Sequence, residues 1–122
     1  MKKIRIAGAV FALLSVILGA FASHLLKILL TETSLHSFET AARYMMYHGL
    51  ALLLVSEMQI EDKKWIFRFF FWGTILFSFS IFFLSLQSII KIDLSWMGPI
   101  TPVGGTLLIL GWFFLLIKSI KD

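Results

Sequence analysis

The sequence contains no cysteine, only two prolines and few charged residues. The absence of cysteine excludes disulfides and thiolate chemistry, and it leaves the redox compartment undetermined. Charged residues make up 15% of the chain, against about 25% in a typical soluble domain. Most of the remainder is apolar, since hydrophobic residues are 59% of the 122 residues and the mean hydropathy is +0.93. This composition predicts an all-α integral membrane protein with one domain.

Four apolar stretches are long enough to cross a bilayer, and they predict a four-helix membrane bundle. The predicted helices cover residues of about 5–24, 38–58, 65–90 and 103–118 within a single domain, 1–122. Ser34 or Ser37 is the expected cap of the second helix. Two prolines and two glycines in 99–105 predict a shaped loop before the fourth helix.

The first stretch also fits a secretory signal peptide, because a basic start precedes an apolar run that ends in Ala20-Phe21-Ala22. The run of 17 residues exceeds the usual length of about 7–15. The rest of the chain is also membrane-embedded in this reading, which removes the reason for cleavage. We therefore interpret the stretch as the first transmembrane helix.

The distribution of basic residues predicts the orientation in the membrane. With four crossings, the N-terminus, the turn 59–64 and the C-terminus share one side. That side holds eight basic residues: Lys2, Lys3, Arg5, Lys63, Lys64, Arg68, Lys118 and Lys121. The other side holds Lys27, Arg43 and Lys91. The positive-inside rule then places both termini in the cytoplasm. Because these residues flank apolar runs and form no cluster, the net charge of +4 does not indicate nucleic-acid binding.

Small residues recur where helices are expected to pack. In the first helix, Gly8, Ala12, Ser15 and Gly19 lie on one narrow face. The fourth helix carries Gly104, Gly105 and Gly111. Small residues let membrane helices approach closely, so we predict helix contacts at both sets.

The second predicted helix carries a polar stripe inside its apolar run. At about 100° per residue, six residues fall within an arc of roughly 140°: Thr40, Arg43, Tyr44, Tyr47, His48 and Ala51. A helix in lipid must turn such a stripe toward protein or trapped water. We therefore expect it to face the bundle interior, near the outer leaflet, and we expect a Glu39–Arg43 ion pair.

Six residues near this end are candidate ligand-binding residues: His24, Arg43, Tyr44, Tyr47, His48 and Thr101. Asp93 in the last loop is expected at the same end. For His48 a structural alternative stays open, in which a neutral imidazole bonds Tyr44 or a backbone carbonyl of a neighbouring helix. The three histidines lack HxxxH or HExxH spacing, and no GxSxG occurs, so no metal ligands, catalytic residues or cofactors are predicted.

Several short motifs occur in order along the chain: Gly19-Ala20-Phe21 with His24, Glu39-Thr40-Ala41, Arg43-Tyr44, Met46-Tyr47-His48, Ala51-Leu52-Leu53, Phe77-Ser78 with Ser80, Thr101-Pro102, Gly104-Gly105 and Gly111-Trp112. Together they resemble a small four-helix membrane family, domain of unknown function 423, which has bacterial and eukaryotic relatives. The resemblance covers nearly the whole chain. It implies a multi-pass bundle in the bacterial plasma (inner) membrane and implies no particular activity. The chain departs from the family pattern at Met45, where Gln is expected, and at Phe82, where Tyr is expected.

These observations favour a non-enzymatic binding or accessory module. Its polar pocket on the outer-leaflet side would take a lipid, a small amphipathic ligand or a membrane protein partner, with Arg43 meeting an anionic headgroup. The alternative is an oligomeric small-solute or ion transporter or channel. In that homo-oligomer the small-residue face of the first helix would make the contacts between protomers. The polar track stops below His48, so oligomerisation would have to supply an exit.

Overall fold

Four long helices make up the protein in the computed structural model, which describes residues 2–121. We label them α1 (Lys2–Leu29), α2 (Glu32–Glu57), α3 (Lys64–Ile90) and α4 (Ile100–Lys121). The described residues contain no strand. A short π-helical segment interrupts α1 at Ala22–Leu26 and α3 at Ile75–Phe79. The all-α, four-helix architecture predicted from the sequence is confirmed.

The connectors differ from those expected. Helix α1 continues to Leu29 and α2 begins at Glu32, so only two residues separate them. The cap is Thr31, whose hydroxyl oxygen accepts a hydrogen bond from the Ser34 amide at 3.2 Å and so satisfies a free N–H of the first turn. Neither expected cap is used, since Ser34 and Ser37 both lie inside the helix.

The segment expected to form a shaped loop instead opens α4. This helix begins at Ile100, so Pro102 lies in its first turn. The first turn of a helix has N–H groups without an intrahelical partner, and a proline there sacrifices no hydrogen bond. A short 3-10 turn, Ser95–Met97, precedes it.

Three of the helical segments are long and apolar enough to cross a membrane: Lys2–Leu29, Lys64–Ile90 and Ser95–Lys121. Helix α2 is not among them, because its polar stripe lowers its hydropathy. It is also well covered, and its buried positions include Ala41, Met45, Leu52 and Val55. The least apolar helix is thus the one that its neighbours shield most.

Helices α1 and α2 approach each other closely at a pair of glycines. A Cβ atom added at Gly8 would lie 2.7 Å from the Gly49 carbonyl oxygen, and one added at Gly49 would lie 2.9 Å from the Gly8 carbonyl oxygen. The small-residue face of α1 therefore packs against α2 of the same chain. The part of this face around Gly8 is therefore not free to join protomers, as the transport hypothesis requires.

Helices α3 and α4 form the second close pair. Gly104 lies directly on the backbone of Leu76 and Phe77 in the π-helical segment, and Gly111 lies against the Phe70 ring. The two pairs meet where the Ser78 hydroxyl of α3 donates to the Ala41 carbonyl oxygen of α2 at 2.9 Å, in a buried position.

The Thr74 hydroxyl is buried and has no hydrogen-bond partner among the described residues. An unsatisfied buried hydroxyl costs about 1–3 kcal/mol. We therefore expect Thr74→Val, which keeps the shape, to raise the free energy of unfolding by about 1 kcal/mol. Denaturation in detergent micelles, followed by circular dichroism, measures this change. Thr106→Val is the control, because that exposed hydroxyl bonds the Pro102 carbonyl oxygen. Destabilisation by Thr74→Val would contradict the prediction.

Candidate functional site

Both ring nitrogens of His48 are hydrogen-bonded, one to α4 and the other to the backbone of its own helix, α2. The side chain is 4% exposed. Its Nε2 lies 3.0 Å from the Trp112 indole Nε1, and its Nδ1 lies 2.7 Å from the Tyr44 carbonyl oxygen. An indole N–H can only donate, so Nε2 accepts and Nδ1 carries the hydrogen. His48 is thus a neutral imidazole that donates to the backbone one turn before it.

Aromatic rings enclose this histidine. Phe70 of α3 and Trp112 of α4 pack edge-on to it at centroid distances of 5.5 and 5.8 Å, and they are 4.9 Å from each other. Gly111 makes room for Phe70, since a Cβ atom there would lie 2.6 Å from a ring carbon. This arrangement corresponds to the structural alternative for His48, and neither ring nitrogen is left for a ligand.

The other polar side chains of the stripe are not buried, so the expectation that the whole stripe faces the interior is wrong. Arg43 is exposed, Tyr44 is 40% exposed and Tyr47 is 51% exposed. The cause is the rotation of α2, which is set by its small and apolar residues: Ala41, Ala42, Met45, Gly49 and Leu52 are all buried against the neighbouring helices. The stripe covers a wider arc of α2 than the surface that the neighbouring helices still cover. Of its polar side chains only His48 is buried.

Arg43 and Tyr47 line an open groove between α1 and α2. The groove has a volume of about 410 Å³, and its other lining residues are Ser15, Gly19, Ser23, Glu39, Ala42 and Met46. We call it the α1/α2 groove. Arg43 donates to the Thr40 hydroxyl at 3.1 Å, and within residues 2–121 the expected ion pair with Glu39 is not formed. A Cβ atom added at Gly19 would meet nothing within 4 Å, so the groove is open at this residue.

The remaining candidates lie apart from this groove. His24 is exposed in the π-helical segment of α1. Thr101 contacts the Ser80 hydroxyl at 2.6 Å and so ties α4 to α3. Asp93 accepts hydrogen bonds from the Ser95 hydroxyl and amide, which hold the pKa of its carboxyl below the usual value. The structure therefore divides the six predicted residues among separate places and does not gather them into one pocket.

Sequence reasoning did not identify the partner of His48. Trp112 stands in the sequence only as part of a family motif, and it lies 64 positions further along the chain. A signal existed, because a tryptophan inside an apolar helix needs an acceptor for its N–H. Helical spacing does not show which acceptor on another helix it reaches.

Apolar helices, a neutral interhelical histidine and a polar groove at one end define a small all-α integral membrane protein. A family model described as "Protein of unknown function (DUF423)" matches residues 18–105. The chain belongs to this family, and the resemblance seen in the sequence is confirmed.

Relatives named "UPF0382 membrane protein" match over almost their whole length. One from Staphylococcus aureus is 40% identical and one from Staphylococcus epidermidis is 39% identical, each over 99% of this chain and 98% of the relative. UPF0382 membrane protein YwdK of Bacillus subtilis is 34% identical over the same shares. No solved structure matches the chain. These relatives support a bacterial membrane protein.

Proposed function

We propose that the protein is a non-enzymatic binding or accessory module of the bacterial plasma membrane. In this proposal the α1/α2 groove holds the headgroup of a lipid or of another small amphipathic molecule. The observation that carries the proposal is Arg43 of α2, which is exposed and lines an open groove. A charged side chain within a membrane-spanning segment is costly, and such residues usually have a binding partner.

The proposal includes four crossings with both termini in the cytoplasm. Helix α2 has 26 residues, and at about 1.5 Å per residue it is long enough to cross the hydrocarbon core. The excess of basic residues at the end that holds the N-terminus of α1 supports this orientation. The α1/α2 groove then lies in the outer half of the membrane. Arg43 reaches back one turn to Thr40, toward the headgroup region, as a snorkelling side chain does.

The charges of the groove suggest the chemistry of the ligand. The guanidinium of Arg43 suits a phosphate or carboxylate. Glu39 lines the same groove one turn away, and its carboxylate suits an amine. A headgroup that carries a phosphate next to an amine, as in phosphatidylethanolamine, satisfies both. Tyr47 adds a hydroxyl group to the walls, and the Ser23 hydroxyl, which donates to the Gly19 carbonyl oxygen at 3.2 Å, can still accept a hydrogen bond.

The test uses two substitutions that change the groove in different ways. Arg43→Gln removes the cation, and Gly19→Leu fills the groove from an open position. Native mass spectrometry in detergent with phosphatidylethanolamine measures binding. We expect Arg43→Gln to weaken binding about tenfold, the effect of losing one charge-assisted hydrogen bond. Gly19→Leu should weaken binding by a similar factor, because its side chain takes up space that the headgroup would occupy. The control is Lys27→Gln, which removes an exposed cation of α1 outside the groove.

Two results would count against the proposal. In the first, Arg43→Gln and Gly19→Leu change neither the co-purification of lipid nor the pull-down of membrane partners. The other is an equal loss with Lys27→Gln, which would show that net charge and not the groove determines binding.

The transport alternative has less support at the Gly8 part of its expected interface, because Gly8 of α1 packs against Gly49 of α2 in the same chain. A ring of protomers would have to use the exposed faces of the bundle instead. A mass measurement in detergent that shows only monomer would remove this alternative.

A further inference from the structure

A second groove lies between α1 and α3, at the end of the bundle where both helices begin. Its volume is about 460 Å³. The apolar walls are Ile6, Ala7, Val10, Phe11, Phe67, Phe71 and Trp72, and the polar lining residues are Lys3 and Arg68. We call it the α1/α3 groove. None of its lining residues is acidic, in contrast to the α1/α2 groove with its Glu39.

Each helix contributes one basic side chain to the groove, and most of its apolar lining residues lie one or two turns further toward the middle of the bundle. In α1, Lys3 shares a face with Ala7 and Val10, and in α3, Arg68 shares a face with Phe71 and Trp72, because residues three and four apart are neighbours on a helix. The Arg68 guanidinium lies over the Trp65 ring at 4.9 Å.

The α1/α3 groove is charged at one end and apolar along the rest, as a membrane lipid is. The two cations lie at the end of the bundle, and the aromatic and aliphatic side chains lie toward its middle. Trp72 is 54% exposed and Val10 is 44% exposed, so the walls are open to the acyl region. Basic residues beside apolar grooves between membrane helices attract anionic headgroups.

We infer that the α1/α3 groove binds an anionic glycerophospholipid of the phosphatidylglycerol type. Its phosphodiester lies between Lys3 and Arg68, and one acyl chain lies along Ala7, Val10 and Phe71. The site is separate from the α1/α2 groove, and the inference does not depend on the function proposed above.

The experiment compares two double variants with the same loss of charge. Lys3→Gln with Arg68→Gln removes both cations of the groove. The control, Arg5→Gln with Lys64→Gln, removes two exposed cations at the same end of the bundle, outside the lining. All four side chains are exposed, and circular dichroism verifies that both variants fold. Native mass spectrometry measures the binding of dioleoyl phosphatidylglycerol, with dioleoyl phosphatidylethanolamine and glycerol phosphate as comparison probes.

We expect the groove variant to bind phosphatidylglycerol about 25-fold more weakly, at about fivefold for each cation. The control variant should change binding less than about threefold, and Arg43→Gln should leave it unchanged. The inference is overturned if the groove variant binds normally or if the control weakens binding equally. It is also overturned if glycerol phosphate competes as well as the intact lipid, because the apolar wall would then be irrelevant.

Discussion

Gly104→Ala is expected to lower the free energy of unfolding by about 3 kcal/mol, at the upper end of the usual cost of overpacking a core. The added Cβ would overlap the backbone nitrogen of Phe77 and lie 2.8 Å from the carbonyl carbon of Leu76. These are backbone atoms of α3, which cannot rotate away as a side chain can. The helices α3 and α4 would have to separate, and denaturation in detergent micelles measures the loss.

Gly105→Ala is the matched control, because it makes the same chemical change one position along α4. Its Cβ would lie 3.6 Å from the Phe77 ring, an ordinary contact. Alanine also favours a helix over glycine by about 1 kcal/mol. We therefore expect Gly105→Ala to be neutral or slightly stabilising. Equal effects of the two substitutions would show that α4 does not lie on α3 as described.

Trp112→Phe is expected to lower the free energy of unfolding by about 2 kcal/mol. The phenyl ring keeps most of the packing against Phe70 and removes the N–H, so His48 Nε2 is left buried without a donor. Trp96→Phe is the control, since that side chain is 67% exposed in the turn before α4.

A double-mutant cycle separates the hydrogen bond from the packing. We expect Trp112→Phe combined with His48→Leu to cost less than the sum of the single substitutions, by about 1 kcal/mol. Additive effects would mean that the bond contributes nothing to the fold. We also expect Trp112→Phe to leave lipid binding at the α1/α2 groove intact, because neither His48 nitrogen faces that groove. A loss of binding would assign His48 a functional role.

The number and type of the helices could be predicted because membrane segments are constrained by length and polarity. A run of apolar residues matched to the bilayer has few alternatives to a helix. The helix ends were less predictable. Local signals at Ser34, Ser37 and the two prolines were compatible with several helix boundaries. Thr31 could be identified as the cap only from the path of the chain in the structure.

Hydrophobic runs and ordered motifs were enough to establish an all-helical, membrane-embedded chain and its family. They could not establish which polar side chains face inward, because that depends on how the four helices pack. With Gly49 of α2 packed on Gly8 of α1, Arg43 and Tyr47 are left exposed. The same packing leaves Gly8 covered and Gly19 open, although both share one face of α1. Such differences depend on the shape of the neighbouring helix, which no periodicity within a single helix encodes.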